Sequence, residues 1–367
     1  MYIWQHDNWP NFTWDRARLL DHLAEAARRQ GQVLGQMRNV IRPLSDEARL
    51  RTLSQDALRT SEIEGEHLDE DSVRSSIARR LGIPYAGASK DDRRIEGLVD
   101  MLIDATHNYD QPLTAERLFG WHVALFPTGY SGMHKITVAG WRLDKEGPMQ
   151  VVSGALGREK VHYEAPPAER LPAEMDRFLA WFNAPPAGLD GILRSGIAHL
   201  YYVTIHPTDD GNGRMARAMA DMALAQAEAS PHRFYSMSSA IRNKRKAYYE
   251  ILESTQSNDL EITDWLVWYL ECFVAAIDEA EATIEQVLAK QRFWQNLQGK
   301  ALSERQTKVL NRLLDGFEGK ITTRKWAALG KCSQPTAQRD INELIELGAL
   351  RPSEAGGRST AYLLNLD

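Results

Sequence analysis

Cysteine is nearly absent: 367 residues hold only Cys272 and Cys332, far apart in the chain. That excludes a disulfide framework and a cysteine-based zinc site, and it suits reduced thiols in a reducing compartment. An excess of positive charge is also missing. With 44 Lys and Arg against 50 Asp and Glu, the formal charge is −6, which excludes a surface built as a whole to hold nucleic acid or an anionic membrane. No stretch approaches the roughly 20 apolar residues of a membrane span, and the start MYIWQHDNWPNFTWD lacks the basic end and apolar run of a signal peptide. The expectation is a cytoplasmic protein with no membrane partner. Internal repeats and low-complexity tracts are absent too. What remains is ordinary globular composition, 43% hydrophobic and 26% charged, with length enough for two or three cores.

Periodicity predicts a mainly α chain. Trp4, Trp9, Phe12 and Trp14 cluster ahead of a helical run from about Asp15 to Met37, where they read as a packing cap. A second helix is expected from about Ser45 to Thr60, with Ser45 and Glu47 serving its first turn and Gly65 stopping it. Leu81 to Asp92 reads as a loop, and Arg93 to about Trp121 as helical. Pro127, Gly129 and Gly132 then break the period, and the alternation in HKITVAGWRL predicts a small hairpin pairing Ile136 and Val138 with Val151 and Val152, followed by KVHYEAPP. Helices resume over Leu171 to Asn183, Asp190 to Thr204, after Gly213, over Arg242 to Thr255 and over Thr263 to Ala289.

The densest chemistry lies in His206-Pro207-Thr208-Asp209-Asp210-Gly211-Asn212-Gly213-Arg214-Met215-Ala216-Arg217, at a helix-loop-helix joint. Gly211 and Gly213 let the backbone turn its amides toward a common point at the start of the second helix, a place that binds phosphate oxygens. Arg214 and Arg217, three apart on that helix, can reach one polyphosphate. Asp210 is the acid best placed to bind Mg²⁺, and His206, titrating near neutrality, can take a proton from an attacking hydroxyl.

This segment resembles the signature of the Fic family: His, any residue, Phe, any residue, acid, Gly-Asn-Gly-Arg, two more, Arg. The matched positions are His206, Asp210, Gly211, Asn212, Gly213, Arg214 and Arg217. The departure is Thr208, where the family usually has a Phe anchoring the loop in the core, and it bears on the rigidity of the loop and so on turnover. The resemblance implies a mainly helical fold that moves AMP from ATP to Ser, Thr or Tyr of a target protein, with His206 as general base, Asp210 as Mg²⁺ ligand, and Gly211, Asn212, Gly213, Arg214 and Arg217 on the nucleotide. A branch resembling kinases carries Lys at the second glycine; Gly213 argues for AMP transfer. Thr60-Ser61-Glu62-Ile63-Glu64-Gly65 matches the family's inhibitory motif, so Glu64 is expected to occupy Arg217 and exclude the γ-phosphate. Lys160, Val161, His162 and Tyr163 resemble the family's flap, which holds the target by strand addition. Asn243, with Tyr248 and Tyr249 after it, falls where the family contacts adenine. The opening aromatic segment resembles the N-terminal extension of one bacterial branch.

From Leu302 the character changes to three short helices, LSERQTKVLNRLLDGF, TTRKWAALG and QPTAQRDINELIELG, then alternating stretches around Gly356 and Gly357. That order is the sequence form of a winged helix-turn-helix. Ser333, Gln334, Thr336, Gln338 and Arg339 open its third helix and Arg351 and Arg358 flank its wing, side chains able to touch DNA, while Asp340, Glu343 and Glu346 dilute the positive field. The expected organisation is 1–92 helical extension with inhibitory helix, 93–290 catalytic core with flap, and 300–367 winged helix. The expected partners are ATP, Mg²⁺, a target protein or the chain itself, DNA at the terminal module, and a second copy. Competing readings are a DNA-binding regulator whose core senses nucleotide, a scaffold without activity, and the reverse reaction, removal of AMP.

Overall fold

The computed structural model describes residues 1–38, 40–84, 92–145, 147–154, 158, 160–314, 321–353 and 361–366. Most of the loop expected between Leu81 and Asp92 lies outside them, as do Gly356, Gly357 and Arg358. The fold is mainly α. It comprises α1 (Arg16–Met37), α2 (Arg42–Ile63), α3 (Glu70–Leu81), α4 (Arg93–His107) and α5 (Ala115–Leu125), then β1 (Tyr130–Ser131), β2 (His134–Lys135), β3 (Gln150–Ser153) and β4 (Lys160–Glu164). There follow α6 (Leu171–Asn183), α7 (Gly191–Ile205), α8 (Asn212–Glu228), α9 (Met237–Asn243), α10 (Arg245–Gln256), α11 (Thr263–Asn296), α12 (Glu304–Leu314), α13 (Thr323–Gly330), α14 (Gln334–Glu346), β5 (Leu350–Pro352) and β6 (Tyr362–Leu364).

Compactness divides the chain into two units, 1–38 with 46–281, and 39–45 with 282–367. In the first, α7 and α8 form the central pair. α7 is buried on every side, as its apolar run HLYYVTI requires, and α8 is buried through Ala225 by alternating Ala and Met. Asp190 starts α7 by accepting the amides of Ile192 and Leu193. Gly97 of α4 faces the backbone of Ala124 of α5 so closely that a Cβ would fall 1.8 Å from its carbonyl oxygen, so only glycine permits that crossing. The opening aromatics pack as a cap: Trp9 and Phe12 meet Tyr201 edge-on, and the Trp9 indole donates to Glu174 Oε2 at 2.9 Å.

In the second unit, α12, α13 and α14 enclose Trp326, Val309, Leu310, Ile341 and Leu344, and β5 pairs antiparallel with β6. Ser333 caps α14, and Arg339 is exposed near its start. Asp340 does not dilute a surface field as expected: it is buried, accepting from Arg305 at 2.7 Å and from the Trp326 indole at 3.1 Å. Cys272 and Cys332 are free and fall in different units. Among the described residues, no helix is long and apolar enough to cross a membrane.

Three local expectations are corrected. The hairpin does not pair Ile136 and Val138 with Val151 and Val152: β1 pairs with β2, and β3 pairs with β4, Val151 opposite Tyr163 and Val152 opposite Val161 across a bulge. The helical stretch from Arg93 to Trp121 is two helices, broken where Pro112 precedes the Thr114 cap of α5. The second helix starts at Arg42, ahead of Ser45, because Pro43 is well placed in a first turn. α3, capped by Asp69, had no counterpart in the sequence reading.

Candidate active site

His206 ends α7 in the left-handed conformation, with φ 51° and ψ 57°, so its backbone is strained for a residue with a side chain. Its ring Nδ1 lies 3.1 Å from the Val203 carbonyl, which requires that nitrogen to carry the proton and leaves Nε2 with a lone pair. The ring is half-buried, and the protein packed about it pushes the imidazole pKa down to about 4, with Arg142 adding to the fall and Glu64 and Asp210 opposing it. At neutral pH the ring is therefore an uncharged acceptor.

From His206 the loop is fastened by side chains. Thr208 is buried, its amide donating to Asn212 Oδ1 at 3.1 Å, while Asn212 Nδ2 donates back to the Thr208 carbonyl at 2.7 Å. The Thr208 hydroxyl lies 2.8 Å from the Asp210 carbonyl and 2.7 Å from Asn212 Oδ1. The position where a Phe anchor was expected is thus held by polar clamping. Gly211 has φ 82°, and a Cβ there would meet the Phe126 ring at 2.9 Å, so glycine is required twice over. As N-cap of α8 it supplies no side-chain acceptor, which leaves the first-turn amides to an anion.

Asp210 accepts from the Gly211 amide and the Ser131 hydroxyl, and lies 3.8 Å from Arg214. Its own carbonyl receives His122 Nε2 at 3.1 Å. Asp209 instead accepts the Thr137 amide at 2.7 Å. Arg214 stacks over Phe126 and pairs with Glu66 at 3.2 Å.

Arg217 is 2% exposed and pairs with Glu64 Oε1 at 2.6 Å. It also donates to the Thr60 hydroxyl at 2.7 Å and the Thr60 carbonyl at 3.1 Å. Burial lowers its pKa, but the charge and hydrogen bond of Glu64 together with Tyr248 and Tyr249 hold it above the ordinary arginine value. Its Nη1 is buried without a hydrogen-bond partner among the described residues. The Glu64 carboxylate lies against Gly213, 2.3 Å from where a Cβ would stand, in the first turn of α8. One side chain thus sits at the helix N-terminus and on a buried arginine, the place an anion would take. Its helix is pinned in turn: the Ile63 carbonyl accepts Arg245 Nε at 2.7 Å and the Tyr249 hydroxyl at 3.3 Å, and Glu62 pairs with Arg242 at 2.7 Å.

Of the other expected site residues, Lys160 and His162 both reach Glu253 of α10, at 2.9 and 2.7 Å, and Val161 is exposed. Tyr163 is turned inward, its hydroxyl donating to the Thr204 carbonyl at 2.5 Å. Asn243 is exposed, and its amide donates to Glu279 at 2.7 Å, away from the loop residues. Tyr248 is buried with its hydroxyl 2.8 Å from His199. The sequence reading missed Ser131, His122 and Arg142, ordinary residue types in segments that carry no motif.

Among known proteins, residues 112–224 match the Fic/DOC family, and residues 2–83 match a domain of unknown function, DUF4172. A uridine 5'-monophosphate transferase of Xanthomonas campestris pv. campestris (strain 8004) is 30% identical over 121 residues, 31% of this chain; the match spans only 21% of that relative. Among solved structures, a Fic family protein from Desulfovibrio desulfuricans G20 superimposes with a TM-score of 0.59 at 20% identity, covering 97% of this chain and 98% of that one. A Fic domain containing signaling protein from Bacteroides thetaiotaomicron VPI-5482 gives 0.52 at 18% identity, covering 73% and 97%. Both likenesses concern the fold.

Proposed function

From the premise that residues 112–224 form a Fic/DOC family domain, we propose that the protein transfers AMP from ATP to a Ser, Thr or Tyr hydroxyl of a protein, and that Glu64 restrains it. The observation that carries the reading is the ion pair of Glu64 with buried Arg217, packed against Gly213 at the start of α8. A carboxylate there competes with a phosphate for the same guanidinium and the same helix terminus.

The residues divide the work. His206 Nε2, kept unprotonated, accepts the proton of the attacking hydroxyl. The first-turn amides of α8, with Arg214 and Arg217, receive the phosphates, and the unpartnered Arg217 Nη1 offers a further donor. Asp210 would hold Mg²⁺, which supplies charge neutralisation along the triphosphate. Mg²⁺ is commonly bound through one or two carboxylates together with substrate phosphates, and Asp210 is the one carboxylate this reading requires. Val161 and Val152, exposed on the β3–β4 hairpin, suit an extended target segment laid alongside it.

The organisation into extension (1–92), core (93–290) and winged helix (300–367), the last able to contact DNA through Arg339, belongs to the same proposal. The expected test result is that Glu64→Gly labels itself or lysate proteins with α-labelled ATP and Mg²⁺ more strongly than wild type, and that adding His206→Ala abolishes the label. Because the Xanthomonas relative is named for UMP transfer, labelled UTP runs in parallel. Absence of His206-dependent label with either nucleotide sinks the transferase reading; equal labelling by wild type and Glu64→Gly sinks the inhibition.

A further inference from the structure

Arg142 lies in irregular chain between β2 and β3, yet it is among the most deeply buried charges of the molecule, 1% exposed. Burying a guanidinium costs several kcal/mol, roughly, unless its donors are all used, so its partners show what it is there to hold. Its Nε donates to the His206 carbonyl at 2.8 Å, and its backbone amide to the Pro207 carbonyl at 2.9 Å. On the other side its guanidinium reaches the Pro166 carbonyl and Asp144, and Asp144 Oδ2 accepts the Ala168 amide at 2.7 Å. Pro166 and Ala168 directly follow β4. One side chain therefore grips the strained residue at the end of α7 and the root of the β3–β4 hairpin together.

We propose that Arg142 is the positioning residue for His206, fixing the backbone of the base and tying it to the root of the β3–β4 hairpin. The inference rests on the reading of His206 as general base. The left-handed turn at His206 leaves its carbonyl outside the α7 ladder, and an ordinary neutral donor would hold that carbonyl less firmly than a charged one. The same charge opposes protonation of the His206 ring, against Glu64 and Asp210, which favour it. Arg142 thus serves both the direction of the lone pair and its availability. Arginine suits the role where lysine does not, because the planar fork serves the His206 carbonyl, the Pro166 carbonyl and Asp144 at once.

The test places Arg142→Gln and Arg142→Lys in the Glu64→Gly protein. Labelling kinetics should show kcat lowered at least about tenfold in Arg142→Gln with KM for ATP within about twofold, since base placement and not phosphate binding is disturbed. The acid limb of the pH profile should move to higher pH in Arg142→Gln and return in Arg142→Lys, which restores charge but not full kcat. Independently of activity, hydrogen exchange should rise together in peptides covering 150–168 and 203–212, because one tie has been cut. Unchanged kcat, or exchange that rises in neither or only one of these segments, overturns the proposal. If the Glu64→Gly parent itself fails to label, the transferase reading falls and the exchange experiment alone decides the tie. Should Arg142→Gln not fold, Arg142→Lys is compared with the parent, and identity in both kcat and exchange overturns the proposal.

Discussion

Gly213→Ala should destabilise the wild-type protein and stabilise the Glu64→Gly protein. Gly213 has helical backbone, so the added Cβ meets no conformational penalty, but it would stand 2.3 Å from Glu64 Oε1. The carboxylate, at the end of a flexible side chain, must leave Arg217. The lost interaction is a charge-assisted hydrogen bond to a buried arginine, about 2 kcal/mol. Alanine returns at most about 1 kcal/mol of helix propensity near the start of α8, which leaves a net cost of about 1 kcal/mol. With Glu64 already removed only the propensity gain remains. The neighbouring Arg217 Nη1, 3.2 Å from the same Cβ, must give by a few tenths of an ångström in both backgrounds and so cancels in the coupling; released from Glu64, the end of that side chain is free to do so.

The coupling between the two sites is therefore about 2 kcal/mol, well outside the roughly 0.5 kcal/mol by which independent sites fail to add. At about 2–4 °C per kcal/mol the melting temperature should fall by a few degrees in one background and rise slightly in the other. Thermal unfolding of the four proteins of the cycle reads this directly and requires no assumption about activity. A Gly213→Ala effect of the same sign and size in both backgrounds would refute the placement of Glu64 against α8.

Two further outcomes follow from other contacts. Thr208→Val keeps the shape but removes the hydroxyl that faces the Asp210 carbonyl and Asn212 Oδ1; it should cost about 1–2 kcal/mol and weaken nucleotide binding, whereas Thr208→Ser should retain both. Melting curves with and without Mg-ATP check this, and a Thr208→Val protein equal to wild type would remove the polar clamp from the account. The second outcome concerns pH. Burial pushes His199 down to about 3 and His206 to about 4, both below the usual 6.5, so the stability they contribute is complete above pH 6.5 and lost as pH falls toward those values. Asp221 runs the other way: burial, reinforced by the neighbouring Asp56, raises it to about 8, so its contribution is complete below the usual 3.8 and is lost as pH rises through 8. Melting temperatures from pH 4 to 9 should fall at both ends, with Asp221→Asn flattening the alkaline side alone; an alkaline fall unchanged in that variant would show that the Asp56–Asp221 pair is not its source.

The parts of the site that were legible in sequence share one property: their chemistry is consecutive in the chain. His206 to Arg217 concentrates a ring, an acid, two glycines and two guanidinium groups within one turn and the helix after it, so spacing alone implies convergence. Thr60 and Glu64 repeat the case on a smaller scale, four apart on one helix face and both on Arg217. What was illegible is stored between elements. Ser131, His122 and Arg142 reach the loop across 79, 88 and 64 residues, and nothing in their own segments distinguishes them from surface polar residues. The same reasoning accounts for the errors in local structure. α3 buries only Val73, Ile77 and Ala78 among its apolar residues, too few to announce a helix beside so many charges. The alternation around Ile136 and Val138 read as a strand because β propensity reports a half-buried pleated surface, whereas partner and register come from the tight turn at Gly132 that pairs Ser131 with His134 first. Thr208 shows how the two kinds of information combine. Read alone it was a departure that loosened the loop; read with Asn212, four residues on, it is a donor and acceptor set that closes the loop on itself. The two motifs are therefore carried by local order, and the fastening of the loop by Ser131, His122 and Arg142 by contacts that only the fold assembles.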